Sequence, residues 1–366
     1  MAEHEEASIL AEILSGQVLH LPDFRPAFAS WKQGINPNYE WAKTIVGERF
    51  EGLIENQEVL EKFKAADIAL LAAGMFPTAS AEDLKTFVFY FVWLFLWDDL
   101  IDGAEVEAGG DTLDIEAHYR QSATFVRHAL GVDGPEAGPC LEEGPGEGAL
   151  TRICESFGDV GRRLIERGCP AEQRRELFER IREYMEGCVT EYKWRQSGRV
   201  PSVEQFYSWR LRTSTMGITM EFHRILNDID LPGDILGSEE HAAMGRSANK
   251  AATIINELYS LRKELKHGAF GNLVPITMRA LNLDLEGATQ ALIQDIHSCI
   301  KEFNDNASAL RSRISPEYGA GVAEQLRRLT ELYQASVTAV LNYSIQSPRY
   351  GLSKCRKEDG SYAIPL

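Results

Sequence analysis

Eleven consecutive apolar residues, FVFYFVWLFLW from Phe87 to Trp97, run without a break into Asp98 and Asp99. A helix over this run is apolar on every side, so it cannot lie on a surface. It is also too short to cross a bilayer, which takes about 20 residues. The segment therefore has to be a central helix buried by other elements, with an acidic end opening at the rim of the core. A chain of 366 residues, 44% of them hydrophobic and 25% charged, can supply that surround. One large domain or two ordinary ones fit the length.

The surrounding pattern is helical. Apolar residues recur with a helical period over Trp41–Phe63, Ser80–Leu100, Ile115–Leu130, Ala149–Arg167, Ala171–Gln196 and Val203–Leu226, and again over Glu239–Lys266, Leu285–Ile314 and Glu317–Ser347. Period-two alternation and β-branched clusters are scarce, which predicts an all-α fold. Ser80 with Asp83 and Ser202 with Gln205 stand where helix starts need caps. Pro201, Pro232 with Gly233, Gly268 with Gly271, and Pro316 mark breaks. The Gly, Pro and Glu-rich stretch 132–148 has little to bury and reads as a mobile surface loop, because similar helices continue on both sides. No internal repeat is visible, so residues 1–366 are expected to form a single domain, with 1–35 a less ordered lead-in.

A formal charge of -17 opposes non-specific attraction to nucleic acid or an anionic membrane. An anionic substrate would need local cations. The acidic start MAEHEEASILAEILSGQ has no basic leader or signal-length apolar stretch, so a cytoplasmic protein without stable membrane insertion is expected. Cys140, Cys154, Cys169, Cys188, Cys299 and Cys355 show no CxxC pair, which suggests reduced thiols rather than a zinc site or a disulfide framework.

Chemistry concentrates in two patterns. Asp98, Asp99 and Asp102 form DDxxD at the end of the apolar helix, where Asp98 and Asp102 share a face. Carboxylates so close repel one another, and Mg²⁺, which prefers a few carboxylate oxygens together with waters and phosphates, compensates them. The second pattern lies in IINELYSLRKELKHG, where Asn256, Ser260 and Glu264 stand at i, i+4 and i+8. They make one stripe about 12 Å long, able to offer neutral and charged oxygens to an ion. Lys263 lies beside the stripe as a point charge for phosphate. Either pattern alone also describes a solvated helix face.

Together, DDLID and NELYSLRKE resemble the aspartate-rich motif and the NSE-type triad of microbial class I terpene synthases, especially fungal sesquiterpene cyclases. The resemblance implies a single-domain helical bundle with a central active-site cavity. It implies Asp98 as principal metal ligand assisted by Asp99 and Asp102, with Asn256, Ser260 and Glu264 binding a further ion, three Mg²⁺ in all. The family's diphosphate-sensing arginine falls on Arg210, 46 residues before Asn256 in YSWRLRTSTMG, with Thr213 as linker and Ser214 as effector. Arg212 competes for the sensor role. SPRY near the C-terminus supplies Arg349 and Tyr350, matching an Arg-Tyr pair that donates hydrogen bonds to diphosphate. Two positions depart from the pattern: Tyr343 stands where Trp is frequent, and Thr213 where some members have Asp.

The reaction implied is ionisation of an isoprenyl diphosphate, farnesyl diphosphate first, followed by carbocation cyclisation to a sesquiterpene hydrocarbon or alcohol and release of diphosphate. Arg210, Lys263, Arg349 and Tyr350 would grip the leaving group, while Phe91, Leu94, Phe95 and Tyr343 would contour the hydrocarbon. The assembly is expected to be a monomer or homodimer. The competing readings are a chain-elongating prenyltransferase, which normally carries two aspartate-rich motifs, and a catalytically silent helical binding protein.

Overall fold

A computed structural model of the chain describes residues 12–107, 114–132, 149–266, 271–314 and 318–366. Of the described residues, 76% are helical, with little sheet. The apolar run lies in α4, Ala81–Glu107, preceded by α1 (Tyr39–Leu53), α2 (Gln57–Ala66) and α3 (Ile68–Met75). After it come α5 (Ile115–Ala129), α6 (Ala149–Glu166), α7 (Ala171–Ser197), α8 (Val203–Thr213) and α9 (Met216–Leu226). The one-turn α10 (Gly233–Leu236) leads to α11 (Glu239–Lys266), α12 (Leu273–Leu281), α13 (Leu285–Arg313) and α14 (Gly319–Gln346).

Because α4 has no polar side over Phe87–Trp97, it is enclosed: Phe87, Val88, Phe91, Val92, Trp93 and Trp97 are all buried. It packs on α1, α3, α6 and α7, while α11 packs on α13 and α14 across the bundle. Gly187 allows α7 to approach α8 closely, since a Cβ there would stand 2.8 Å from Thr213 Cγ2. No described helix is long and apolar enough to cross a membrane. Five described cysteines, Cys154, Cys169, Cys188, Cys299 and Cys355, are buried and form no disulfide with one another, and Cys140 lies outside the described residues.

The expected caps are present. Asp83 N–H donates to Ser80 Oγ at 3.1 Å, and Ser202 and Gln205 form a reciprocal capping box. Two expected helices are each divided. Over Trp41–Phe63 the chain breaks at Ile54–Asn56, where the Asn56 side chain accepts from Glu58 and Val59 N–H and starts α2. Over Val203–Leu226 it breaks at Ser214–Thr215, with Thr215 in the left-handed region at φ 65°. In the first, both halves bury apolar residues at helical spacing, Ala42, Val46 and Phe50 before the break and Leu60 and Phe63 after it. The short helices α3 and α12 were not expected; α3 is mostly alanine and leucine, with too few polar residues to reveal a period.

The lead-in expected over 1–35 is held to the bundle from residue 12 onward, with Leu14, Leu19, Leu21, Phe24, Phe28 and Trp31 buried. Strand β1, Val18–Leu21, pairs antiparallel with β2, Tyr362–Pro365, in the register Leu19 to Ile364 and Leu21 to Tyr362. Strands of four residues give almost no alternation to read, and their partner lies at the other end of the chain. Residues 1–11 and 133–148, the latter nearly all of the expected loop, lie outside the described residues.

Candidate active site

The two oxygen faces come from α4 and α11. Asp98 and Asp99 are half-buried at the end of the apolar run, and the hydroxyl of Tyr184 on α7 donates to Asp98 Oδ1 at 3.0 Å. Tyr184 is itself fixed against Trp97, ring centroids 5.7 Å apart. Asp99 turns toward the surface, where Lys62 Nζ lies 3.3 Å from it. Asp102 is on the same helix, and its side chain lies outside the described residues. Phe91 and Leu94 are buried beneath Asp98, and Phe95 is half-buried.

On α11, Ser260 is buried, and Asn256, Lys263 and Glu264 are half-buried. Asn256 is held at both ends of its amide: its Oδ1 accepts from Arg210 Nη2 at 2.7 Å and its Nδ2 donates to Tyr350 Oη at 2.9 Å. Arg210 also donates through Nε to Glu257 at 2.8 Å, in an ion pair whose side chains are 17% and 3% exposed. A contact this far from water is held by geometry as well as charge. Burial is the largest influence on Glu257 and pushes its carboxyl above the usual range; Arg210 and the Leu273 N–H act in the opposite sense, while Glu264 adds to the rise. For Arg210, burial disfavours the charge, but Glu257, Glu191 and Glu264 outweigh it and keep the guanidinium protonated.

The break after α8 fixes this arginine's direction. Thr213 Oγ1 lies 3.4 Å from Arg210 Nη1 and 3.3 Å from Glu191 Oε2. Ser214 Oγ donates to Asn249 Oδ1 at 2.6 Å, and Asn249 Nδ2 donates back to Leu211 O at 2.7 Å, one of the carbonyls released where α8 ends. Arg212 is exposed, with its Nε on Ser208 O at 2.9 Å. Two residues on a helix are about 200° apart, so Arg210 and Arg212 cannot face the same site, and Arg210 is the inward one.

Arg349 and Tyr350 link the two faces. The Arg349 guanidinium sits 5.7 Å from the Phe95 ring centroid, whereas Tyr350 reaches Asn256. Burial alone would lower the Arg349 pKa, but Tyr350, Tyr343, Asp98 and Asp99 together raise it above its ordinary value. Neighbouring residues thus reach the two helices that carry the oxygen faces, Arg349 at the Phe95 ring of α4 and Tyr350 at the Asn256 amide of α11.

Tyr343, expected to contour the hydrocarbon, has its ring 6.2 Å from that of Tyr350. Its hydroxyl donates to Ala66 O at 2.6 Å, beside Ser347 Oγ at 3.1 Å, and so ties α14 to the α2–α3 junction. Replacing Tyr343 by Phe is expected to cost about 1 kcal/mol of stability through the lost hydrogen bond and to leave the product pattern unchanged. Urea unfolding beside product analysis tests this, and a changed product pattern at unchanged stability would place the hydroxyl in the pocket.

Sequence reading missed Glu257, Tyr184, Asn249 and Asn272. Glu257 gave a signal, an acidic residue inside a stretch where 251–255 and 258–261 are all buried, which demands a cation nearby. The other three gave none: Tyr184 meets Asp98 from 86 residues away and Ser214 reaches Asn249 from 35, while Asn272, only 8 residues from Glu264, meets it from a different helix. Among the described residues, no three His, Cys, Asp or Glu side chains gather as a metal cluster. The acids are divided between two helices, and Asn256 and Ser260 contribute neutral oxygens. An all-oxygen donor set of this kind fits a hard divalent cation. A separate cleft of about 430 Å³ between α1, α2 and α3 holds none of these residues, and its Lys43 and Lys64 are already paired with Asp67 and Glu51.

Residues 90–302 match the family profile described as terpene synthase family 2, C-terminal metal binding. The chain is 26% identical over 355 residues to the sesquiterpene cyclase hepA of Aspergillus oryzae, covering 96% of this chain and 94% of that protein. It is 30% identical over 325 residues to 10-epi-cubebol synthase of Sorangium cellulosum, covering 87% and 92%. In fold it is similar to α-eudesmol synthase, with a TM-score of 0.73 at 15% identity and coverage of 87% and 97%. It is also similar to linalool/nerolidol synthase from Streptomyces clavuligerus, with a TM-score of 0.67 at 20% identity and coverage of 86% and 98%.

Proposed function

We propose, because this chain belongs to terpene synthase family 2, that it ionises farnesyl diphosphate with the help of Mg²⁺ and cyclises the cation to a sesquiterpene hydrocarbon or alcohol. The observation that carries this reading is the arrangement of cations between the oxygen faces. Arg210, Asn256 and Tyr350 form one hydrogen-bonded chain, and Arg349 sits beside it over Phe95, one turn below Asp98.

Asp98 and Asp99 on α4, and Asn256, Ser260 and Glu264 on α11, would hold the metal, with three ions by family resemblance. Bound there, Mg²⁺ supplies positive charge to the departing diphosphate oxygens. Arg210, Arg349 and Lys263 add fixed charge at the same end, and the Tyr350 hydroxyl can turn from Asn256 to donate to a phosphate oxygen. Because Arg210 is bonded to Asn256, an anion that draws the arginine toward itself also frees the asparagine oxygen. Phe91 and Leu94, with Phe95 above them, offer the hydrocarbon an inert wall, and the aromatic faces stabilise a passing cation. A prenyltransferase would call for a second aspartate-rich helix, and α11 carries Asn, Ser and Glu instead. A silent binding protein would have no use for Arg210 and Arg349 set at the same end as the two oxygen faces.

Incubation of the purified chain with farnesyl diphosphate and Mg²⁺ is expected to give a cyclic sesquiterpene on gas chromatography with mass detection, and EDTA to abolish it. Product formation in metal-free buffer, or a longer linear diphosphate made with added isopentenyl diphosphate, would defeat the proposal.

A further inference from the structure

Asn272 starts α12 and is 1% exposed. Its side chain does two separate jobs. The oxygen accepts from Val274 N–H at 2.8 Å, which is the helix cap. The amide nitrogen donates to Glu257 O at 2.9 Å and to Glu264 Oε2 at 2.8 Å, so both of its N–H bonds are directed at α11. The next residue continues the contact, because Leu273 N–H donates to Glu257 Oε2 at 3.0 Å. Glu257 and Glu264 are seven residues apart, two turns along one face of α11, and the start of α12 therefore grips both carboxylates at once.

The cap by itself does not call for asparagine. Serine and aspartate serve as well in that position, since only an acceptor is needed. What the amide adds is a donor that reaches Glu264. We propose that Asn272 is a positioning residue for the α11 oxygen face: it fixes the Glu264 carboxylate in one orientation, and with Leu273 it braces Glu257, on which Arg210 rests. This deepens the reading of Glu264 as a metal ligand and rests on it. A long carboxylate side chain left without this donor would sample several rotamers, and an ion would have to select one.

The test separates the cap from the donor. The full-length chain and its Asn272→Asp and Asn272→Ser variants are titrated with Mg²⁺ in the presence of inorganic diphosphate by calorimetry, and their thermal unfolding is followed in parallel. Both variants keep a capping acceptor, but neither can donate to Glu264: aspartate lacks the proton, and the serine hydroxyl is too short to span the gap. Unfolding is expected to stay within a few degrees of wild type for Asn272→Ser, with binding weakened roughly 10- to 100-fold, the usual effect of removing a hydrogen-bond partner behind a ligand. Should the extra charge of Asn272→Asp unfold the chain, Asn272→Ser decides. Wild-type affinity in a folded Asn272→Ser variant overturns the inference, as does unfolding of both variants, which would make Asn272 a residue of the fold alone. Absence of Mg²⁺-dependent diphosphate binding by the wild-type chain would overturn the reading of the site itself.

Discussion

Replacing Arg210 by Met is expected to lower product formation by roughly 10²–10³ and to destabilise the protein by about 3 kcal/mol, while adding Glu257→Gln restores most of the stability and none of the activity. The guanidinium and the Glu257 carboxylate meet at 2.8 Å with almost no access to water. Removing one partner of such a pair strands the other in a low dielectric, at a cost of roughly 3–5 kcal/mol. The lower figure applies because Glu257 can take up a proton, and burial already pushes it in that direction. A glutamine at 257 needs no cation and still accepts from Leu273 N–H, so the double variant has little left to destabilise it. Activity behaves differently: Arg210 also grips Asn256, and losing a fixed donor at a developing anion lowers the rate by roughly 10²–10³. Urea unfolding and diphosphate release measure the two effects independently. If the double variant recovered turnover, Arg210 would act only through the fold; if Arg210→Met alone were as stable as wild type, the buried pair would not be holding α8 to α11.

Asp98→Asn and Glu264→Ala are each expected to reduce diphosphate release by at least about 10², with helicity unchanged, because each removes a charged oxygen from one of the two faces. The stability cost is small and can be ranked. Glu264 loses one hydrogen bond, to Asn272. Asn256→Ala should be the more destabilising change, by about 1–2 kcal/mol, because that amide joins Arg210 to Tyr350 and each partner loses a hydrogen bond. Circular dichroism, thermal unfolding and a product assay separate these outcomes. Wild-type turnover in Asp98→Asn would remove α4 from the metal site, and full unfolding of Glu264→Ala would make the α11 stripe a structural element.

The fold class was legible because one feature left few choices: a segment as apolar as Phe87–Trp97 has to be surrounded, and the remaining segments have the period of helices. The site was legible in part, since Asp98 with Asp99 and the Asn256, Ser260, Glu264 stripe are local patterns, and the helix that carries each stripe also sets its face. Reading along the chain gave no choice between Arg210 and Arg212, because it does not reveal which side of α8 the bundle covers. It also gave no partner for the Tyr343 hydroxyl, which turns to Ala66, 277 residues away in sequence, while the ring lies near Tyr350.

Sequence by itself determined the secondary-structure class, the order of the polar clusters and the kind of ion and anion they suit, because those follow from residue chemistry and from a helical repeat of 3.6. Tertiary structure alone decided which polar groups meet. The helix break at Thr215, the buried Arg210–Glu257 pair, Tyr184 on Asp98 and Asn272 on Glu264 all join residues from different helices. Such a contact exists only once burial has stripped water from both groups and left each with the other as its partner, and no spacing along a single helix encodes it.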